Sequence, residues 1–181
     1  MNKMESTSGS RQHLGAEDFE FDAIPYQARI QYGPDKLQHA DLRLPSGTGP
    51  FPVAVVIHGG CWSGLHRYQH VERVAQSLTK KGWASWNMSH RQAVDPGGGW
   101  PGTFLDIAAG IDSLRSEEAE YSLDLSTVVT IGHSAGGHLA LWAATRTRIP
   151  VESDLYLPNP VSISGTVSLA GIADLEAHSK Q

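Results

Sequence analysis

Thr127-Val128-Val129-Thr130-Ile131-Gly132-His133-Ser134-Ala135-Gly136-Gly137-His138-Leu139-Ala140 is the stretch whose reading decides the fold. It begins as a short apolar strand, tightens into a turn that carries one serine, and continues as a buried helix. Gly132, Ser134 and Gly136 fit the spacing G-x-S-x-G, in which a sharp strand-to-helix turn lifts a serine hydroxyl above a sheet. The spacing has a steric reason. The serine's backbone is strained, and a side chain two residues to either side would collide across the turn. Helix onset at about Ala135 directs free backbone N–H groups and the positive end of the helix dipole toward whatever Ser134 attacks. The same positions also fit an ordinary strand-to-helix turn with a serine cap, so the surrounding chain decides between the two.

Upstream, Pro52-Val53-Ala54-Val55-Val56-Ile57 is a continuous apolar run, the pattern of a strand buried on both faces, and it ends in His58-Gly59-Gly60-Cys61-Trp62. Tyr68, Val71, Val74, Ala75 and Leu78 then mark one face of a helix that Lys80, Lys81 and Gly82 bring to a stop. Ala84 to Met88 is predicted as a short strand, and Asp95-Pro96-Gly97-Gly98-Gly99-Trp100-Pro101 as a loop. Phe104, Ile107, Ile111 and Leu114 mark a second amphipathic helix. Nearer the N-terminus, Ile24 to Tyr32 and Gln38 to Leu44 read as a hairpin about Gly33-Pro34-Asp35. Beyond the serine motif, the helix is expected to run to about Thr145; Arg146 to Pro160 is irregular, and Ser164 to Ala170 reads as one more strand.

A hairpin followed by alternating strands and helices defines an α/β domain, with a mostly parallel sheet and helices on both faces. Sites in such sheets lie beyond the carboxyl ends of the strands. His58–Trp62, the loop 95–100 and Ser134 each follow a strand, so they are predicted to share one rim.

The composition narrows the partners. The chain has 181 residues, enough for one domain with a sizeable core. It is 40% hydrophobic with a mean hydropathy of −0.28, the profile of a soluble globular protein. No window approaches the ~18 apolar residues of a membrane span. Residues 1–20 are polar without an apolar stretch, and read as a disordered tail rather than a signal peptide. One cysteine agrees with a reducing, cytoplasmic setting. With 14 basic and 19 acidic residues the net charge is −5, and no basic cluster invites nucleic acid or an anionic membrane. Nothing in the sequence sets the oligomeric state.

The pair HGGCW (58–62) and GHSAGGHLA (132–140), in this order and context, resembles the α/β-hydrolase fold. Within it the chain is similar to the esterase and arylformamidase group, kynurenine formamidase-like and also described as BD-FAE-like, from about Ile24 to Asp174. It departs from hormone-sensitive-lipase relatives, which have a third glycine where Cys61 stands and an acidic residue where His133 stands. The resemblance implies that Ser134 is the nucleophile and that no cofactor takes part. It further implies an oxyanion hole made by the backbone N–H of Ala135 with those of Gly59, Gly60 and Cys61, and an acyl pocket lined by Trp62.

Other residues have plainer readings. His58 is expected to brace the oxyanion loop rather than act as base, His133 to pack or hydrogen-bond locally, and His138 to be a satisfied buried histidine. Cys61, with no cation to lower its pKa, is expected to be a small buried residue. His66 and His70 stand at i, i+4, a spacing that suits zinc, but no third ligand is placed and no metal is predicted. Gly97–Gly99 lack the lysine of a phosphate cradle and read as a rim loop.

In this fold the nucleophile is followed by an acid and then a histidine. Two more strands would need roughly 60 residues, and 11 follow Ala170. Asp174 reads as a helix N-cap, and His178 lies too near it to reach Ser134. Residues 21–181 are therefore expected to form a partial, C-terminally truncated α/β-hydrolase domain whose strand Ser164–Ala170 is an exposed apolar edge. The expected function is that of a serine hydrolase of a small ester or N-formyl amide, inactive in this form. The alternatives are a broad carboxylesterase or peptidase, or a non-catalytic small-molecule-binding module.

Overall fold

A computed structural model describes residues 23–178, so the expectation for the polar tail lies outside the described residues. The predicted hairpin is present: β1 (Ala28–Gln31) and β2 (His39–Arg43) pair antiparallel, with Ala28 opposite Leu42 and Gln31 opposite His39. β3 (Phe51–Ile57), β4 (Ala84–Met88), β5 (Leu123–His133) and β6 (Gly165–Leu169) run parallel to one another, and β2 joins them antiparallel to β4. The order across the six-stranded sheet is β1-β2-β4-β3-β5-β6.

The central strand shows why its sequence is apolar at every position. Val53, Val55 and Ile57 enter one core with Trp86 and Met88 of β4, Ile107 and Ile111 of α2 (Gly102–Asp112) and Leu139 of α4 (Ala135–Ala144). Val56 points the other way, onto Val71 and onto Ala75 of α1 (Glu72–Lys80). Helices thus cover both faces, and a parallel strand between two layers has no solvated side to make polar.

Two helices differ from their predicted form. The face that begins at Tyr68 opens as a 3-10 turn, Tyr68–Val71, before α1. The second amphipathic helix ends at Asp112 and resumes as α3 (Leu114–Tyr121). At that break Ser113 Oγ donates to the Gly110 carbonyl at 2.9 Å, competing with the helix for its acceptor. Asp112 is drawn to Arg146, Nη2 to Oδ2 2.5 Å. β6 borders the sheet, with Val167 and Leu169 47% and 43% exposed. α5 (Leu175–His178) follows Asp174, which stands at its N-cap position; the reach of the His178 side chain lies outside the described residues.

Candidate active site

Ser134 sits between the end of β5 and the start of α4, and its backbone has φ 54° and ψ −121°, a conformation that L residues rarely hold. Its neighbours enforce this. The Ser134 N–H donates to the Leu169 carbonyl at 2.8 Å, and its own carbonyl accepts from Gly137 N at 2.9 Å and His138 N at 3.2 Å. The flanking glycines are where backbone meets backbone. A Cβ at Gly132 would lie 2.0 Å from the Gly136 carbonyl oxygen, and one at Gly136 would lie 2.3 Å from that of Ile57. The motif is therefore a packing requirement as well as a turn.

The loop after β3 reaches the same place. A Cβ on Gly59 would sit 3.1 Å from the Ser134 Cβ and 2.4 Å from the His133 carbonyl oxygen. Gly60, Cys61 and Trp62 follow with φ of 119°, 50° and 56°, three consecutive left-handed residues. That run turns the cysteine outward: Cys61 is exposed, where the sequence suggested a small buried residue. Several contacts hold the loop in this form. Ala93 N donates to the Trp62 carbonyl at 3.0 Å. Buried Gln92 accepts from Gly64 N at 2.6 Å and donates to the His66 carbonyl at 2.7 Å. Arg67 forks onto Asp95 at 2.6 and 2.9 Å, and Asp95 also accepts from Gln92 N at 2.7 Å.

His58 braces the loop as expected. Its Nδ1 lies 2.8 Å from the Gly59 carbonyl, and its ring stacks on His90 with centroids 4.1 Å apart. Burial, partly countered by the Gly59 carbonyl, lowers the His58 pKa to about 4, and burial also holds His90 well below the usual histidine range. Both rings are thus neutral at pH 7. His138 is half-buried and satisfied, its Nδ1 2.8 Å from the Ile172 carbonyl. His133 packs against His70, centroids 5.6 Å apart, while its Nδ1 is buried without a partner among the described residues. His66 and His70 stack face to face at 4.5 Å.

The loop parts two hollows. One, about 260 Å³, is lined by Gly60, Cys61, Ser63, Leu65, His66, His70, His133 and Ser134. The other, about 340 Å³ and almost wholly apolar, is lined by Trp62, Gly99, Trp100, Thr103, Phe104 and Leu175. Trp62, the loop 95–100 and Ser134 therefore do share one rim. Among the described residues no histidine or carboxylate hydrogen-bonds Ser134 Oγ.

Sequence reasoning missed Gln92, the Arg67–Asp95 pair and His90. For His90 and Gln92 the signal was the polar run Ser89-His90-Arg91-Gln92 directly after the strand Ala84–Met88, which marks the carboxyl rim of a parallel sheet.

A strained serine at a strand-to-helix elbow, beside a glycine loop from the neighbouring strand of a mostly parallel sheet, defines the α/β-hydrolase fold. The chain belongs to the BD-FAE family, whose model matches residues 40–181. It is 29% identical over 157 residues to Esterase LipC of Mycobacterium tuberculosis, covering 85% of this chain and 38% of that protein. It is 26% identical to the probable carboxylic ester hydrolase LipM of the same organism, covering 80% of this chain and 34% of the relative. The chain thus spans little more than a third of these curated relatives. Among solved structures, a bifunctional GH43-CE protein of Bacteroides eggerthii is similar at 30% identity and TM-score 0.67, over 78% of this chain and 20% of that one. Esterase B from Lactobacillus rhamnosis has the same fold, with TM-score 0.75 at 22% identity over 88% and 52%. No helix among the described residues is long and apolar enough to cross a membrane.

Proposed function

We propose that this chain carries the nucleophile half of a serine ester hydrolase, which cleaves a small carboxylic ester through an acyl-enzyme on Ser134. The observation that carries the reading is the φ 54°, ψ −121° of Ser134 against the Gly59 backbone. Backbone strain of this kind persists where the surroundings over-determine it, and it gathers at reacting groups. Backbone N–H groups of Ala135 and of Gly59, Gly60 and Cys61 form the oxyanion hole; each such donor supplies roughly 3–4 kcal/mol of transition-state stabilisation where one has been removed. Trp62 lines the acyl pocket, consistent with its place in the apolar hollow.

Relatives named as esterases favour an ester over an N-formyl amide as substrate. No cofactor enters this chemistry, and the partner is a small molecule. A cytoplasmic setting is part of the reading, supported by Cys61 being the sole cysteine. A serine hydroxyl needs a base, and none of the described residues bonds Ser134 Oγ, so the 181-residue chain by itself is expected to be inert.

A fluorophosphonate probe tests this. The 181-residue chain should stay unlabelled, and a longer protein that supplies an acid and a histidine should label at Ser134. Robust labelling of the short chain would refute the inert state. A panel of p-nitrophenyl acetate, formylkynurenine and peptide amides separates esterase from arylformamidase and peptidase. Saturable binding without turnover in the longer protein would point instead to a binding module.

A further inference from the structure

The 260 Å³ hollow beside Ser134 has an unusual wall: three imidazoles, His66, His70 and His133, and no carboxylate. Their rings form a chain, His66 stacked on His70 at 4.5 Å and His70 tilted against His133 at 5.6 Å. The backbone around them is fixed, since buried Gln92 holds the His66 carbonyl and the Arg67 carbonyl accepts from His70 N at 2.9 Å. His133 closes the row at the end of β5, next to Ser134.

From this juxtaposition we infer that the hollow is a carboxylate subsite, so that the ester cleaved at Ser134 carries a free carboxylate a few bonds from its scissile carbonyl. The inference rests on the hydrolase reading and names its substrate class. Imidazoles are the side chains that can turn into cationic donors near neutral pH. When the hollow is empty, partial burial and then the charges of His66 and His133 lower the pKa of His70. A carboxylate among the rings reverses that repulsion, so each anion bound takes up a proton. Other titratable or charged groups near His70 are Cys61 in the same hollow, His58, Tyr68, Glu72 (held by Arg43) and Arg73 on its own chain segment, and the Arg67–Asp95 ion pair. The ion pair is internally neutralised and His58 stays neutral above about pH 4, so neither supplies nor opposes the charge at pH 6.

Across the loop, the hollow of Trp62, Trp100 and Phe104 is apolar and offers no such contact. The two sides of Ser134 are thus built for unlike ends of one substrate.

The test reads binding and does not need turnover. The imidazole resonances of the isotope-labelled protein are followed by NMR during titration with glutarate, and with its neutral dimethyl ester as control. Glutarate is expected to shift the His66, His70 and His133 signals saturably, and to bind more weakly at pH 8 than at pH 6 by up to about a hundredfold, the limit set by uptake of one proton across two pH units. His70→Gln should abolish this response, and His66→Gln should weaken it, with unchanged His58 and His90 signals reporting an intact fold. Shifts from the neutral ester as large as from glutarate, retention of binding in both variants, or absence of saturable binding would overturn the proposal. Equal binding of inorganic phosphate would reduce the hollow to a general anion trap and overturn it as well. Failure here leaves fluorophosphonate labelling of Ser134 untouched, so the two readings fall separately.

Discussion

The two ends of the sheet differ in a way that volume does not reveal. A cavity of about 490 Å³, larger than either hollow beside Ser134, lies at the amino end of the parallel strands between Ile24, Leu44–Ser46, Thr79, Lys80 and Gly82. Gly82 is relaxed apart from its φ of 93°: a Cβ there would meet nothing within 4 Å. The carboxyl rim is the reverse. Glycines touch backbone, non-glycine residues Cys61, Trp62 and Ser134 hold positive φ, and His58 Nε2, His90 Nδ1 and His133 Nδ1 are buried without partners among the described residues. The amino end has isolated instances of both, Ser122 at φ 50° and Arg43 Nη1 buried without a partner among the described residues, but at the carboxyl rim strain and unmet polarity gather around one serine, the mark of a reacting site.

That contrast can be broken first at Ser134. In a protein completed by an acid and a histidine, Ser134→Ala is expected to lower kcat by at least about four orders of magnitude, read with a p-nitrophenyl ester. Retained activity would move the chemistry away from this rim. Next come the crowded glycines. Gly132→Ala sets a methyl 2.0 Å from the Gly136 carbonyl oxygen, so backbone has to move, and a loss of roughly 3 kcal/mol is expected in urea unfolding.

A third measurement uses pH. Unfolded histidine titrates at 6.5, but His58 folds with a pKa of about 4, so between these values the unfolded chain binds the extra proton. Stability from this group therefore rises with pH through that window, is fully present above pH 6.5, and amounts to roughly 3 kcal/mol. His90, lowered in the same direction, adds to the slope. Unfolding midpoints from pH 4 to pH 7 should show this rise, and His58→Asn should flatten it. The smallest effect belongs to the other end: Gly82→Ala meets open space and only a strained φ, so about 1 kcal/mol is expected. A Gly82 cost equal to that of Gly132 would erase the contrast.

Much of this was legible in the chain before any coordinates. Pro52–Ile57 is apolar at successive positions and Thr127–Ile131 is β-branched throughout, and a parallel strand sandwiched between helices leaves few other patterns available. The elbow was legible because its glycine spacing is a local pattern and Gly132 is demanded by the Gly136 carbonyl four residues on, whereas the contact that demands Gly136, with the Ile57 carbonyl on the neighbouring strand, was not. Cys61 was misread because its exposure follows from three successive positive φ values, and only glycine signals such a conformation in a sequence. The break at Asp112–Ser113 was hidden as well, since the competing partner of Asp112 is Arg146, 34 residues away.

The sequence by itself determined the α/β architecture, the serine at its elbow and the presence of a glycine loop after the central strand, because each is written in a local pattern of residues. Only the tertiary structure decided that His58 stacks on His90, that Gln92 and the Arg67–Asp95 pair clamp the loop, and that His66, His70 and His133 meet in one hollow beside Ser134. Those contacts join the ends of different strands, and the distance between strand ends is set by how the sheet is ordered and twisted, which no local stretch of the chain encodes.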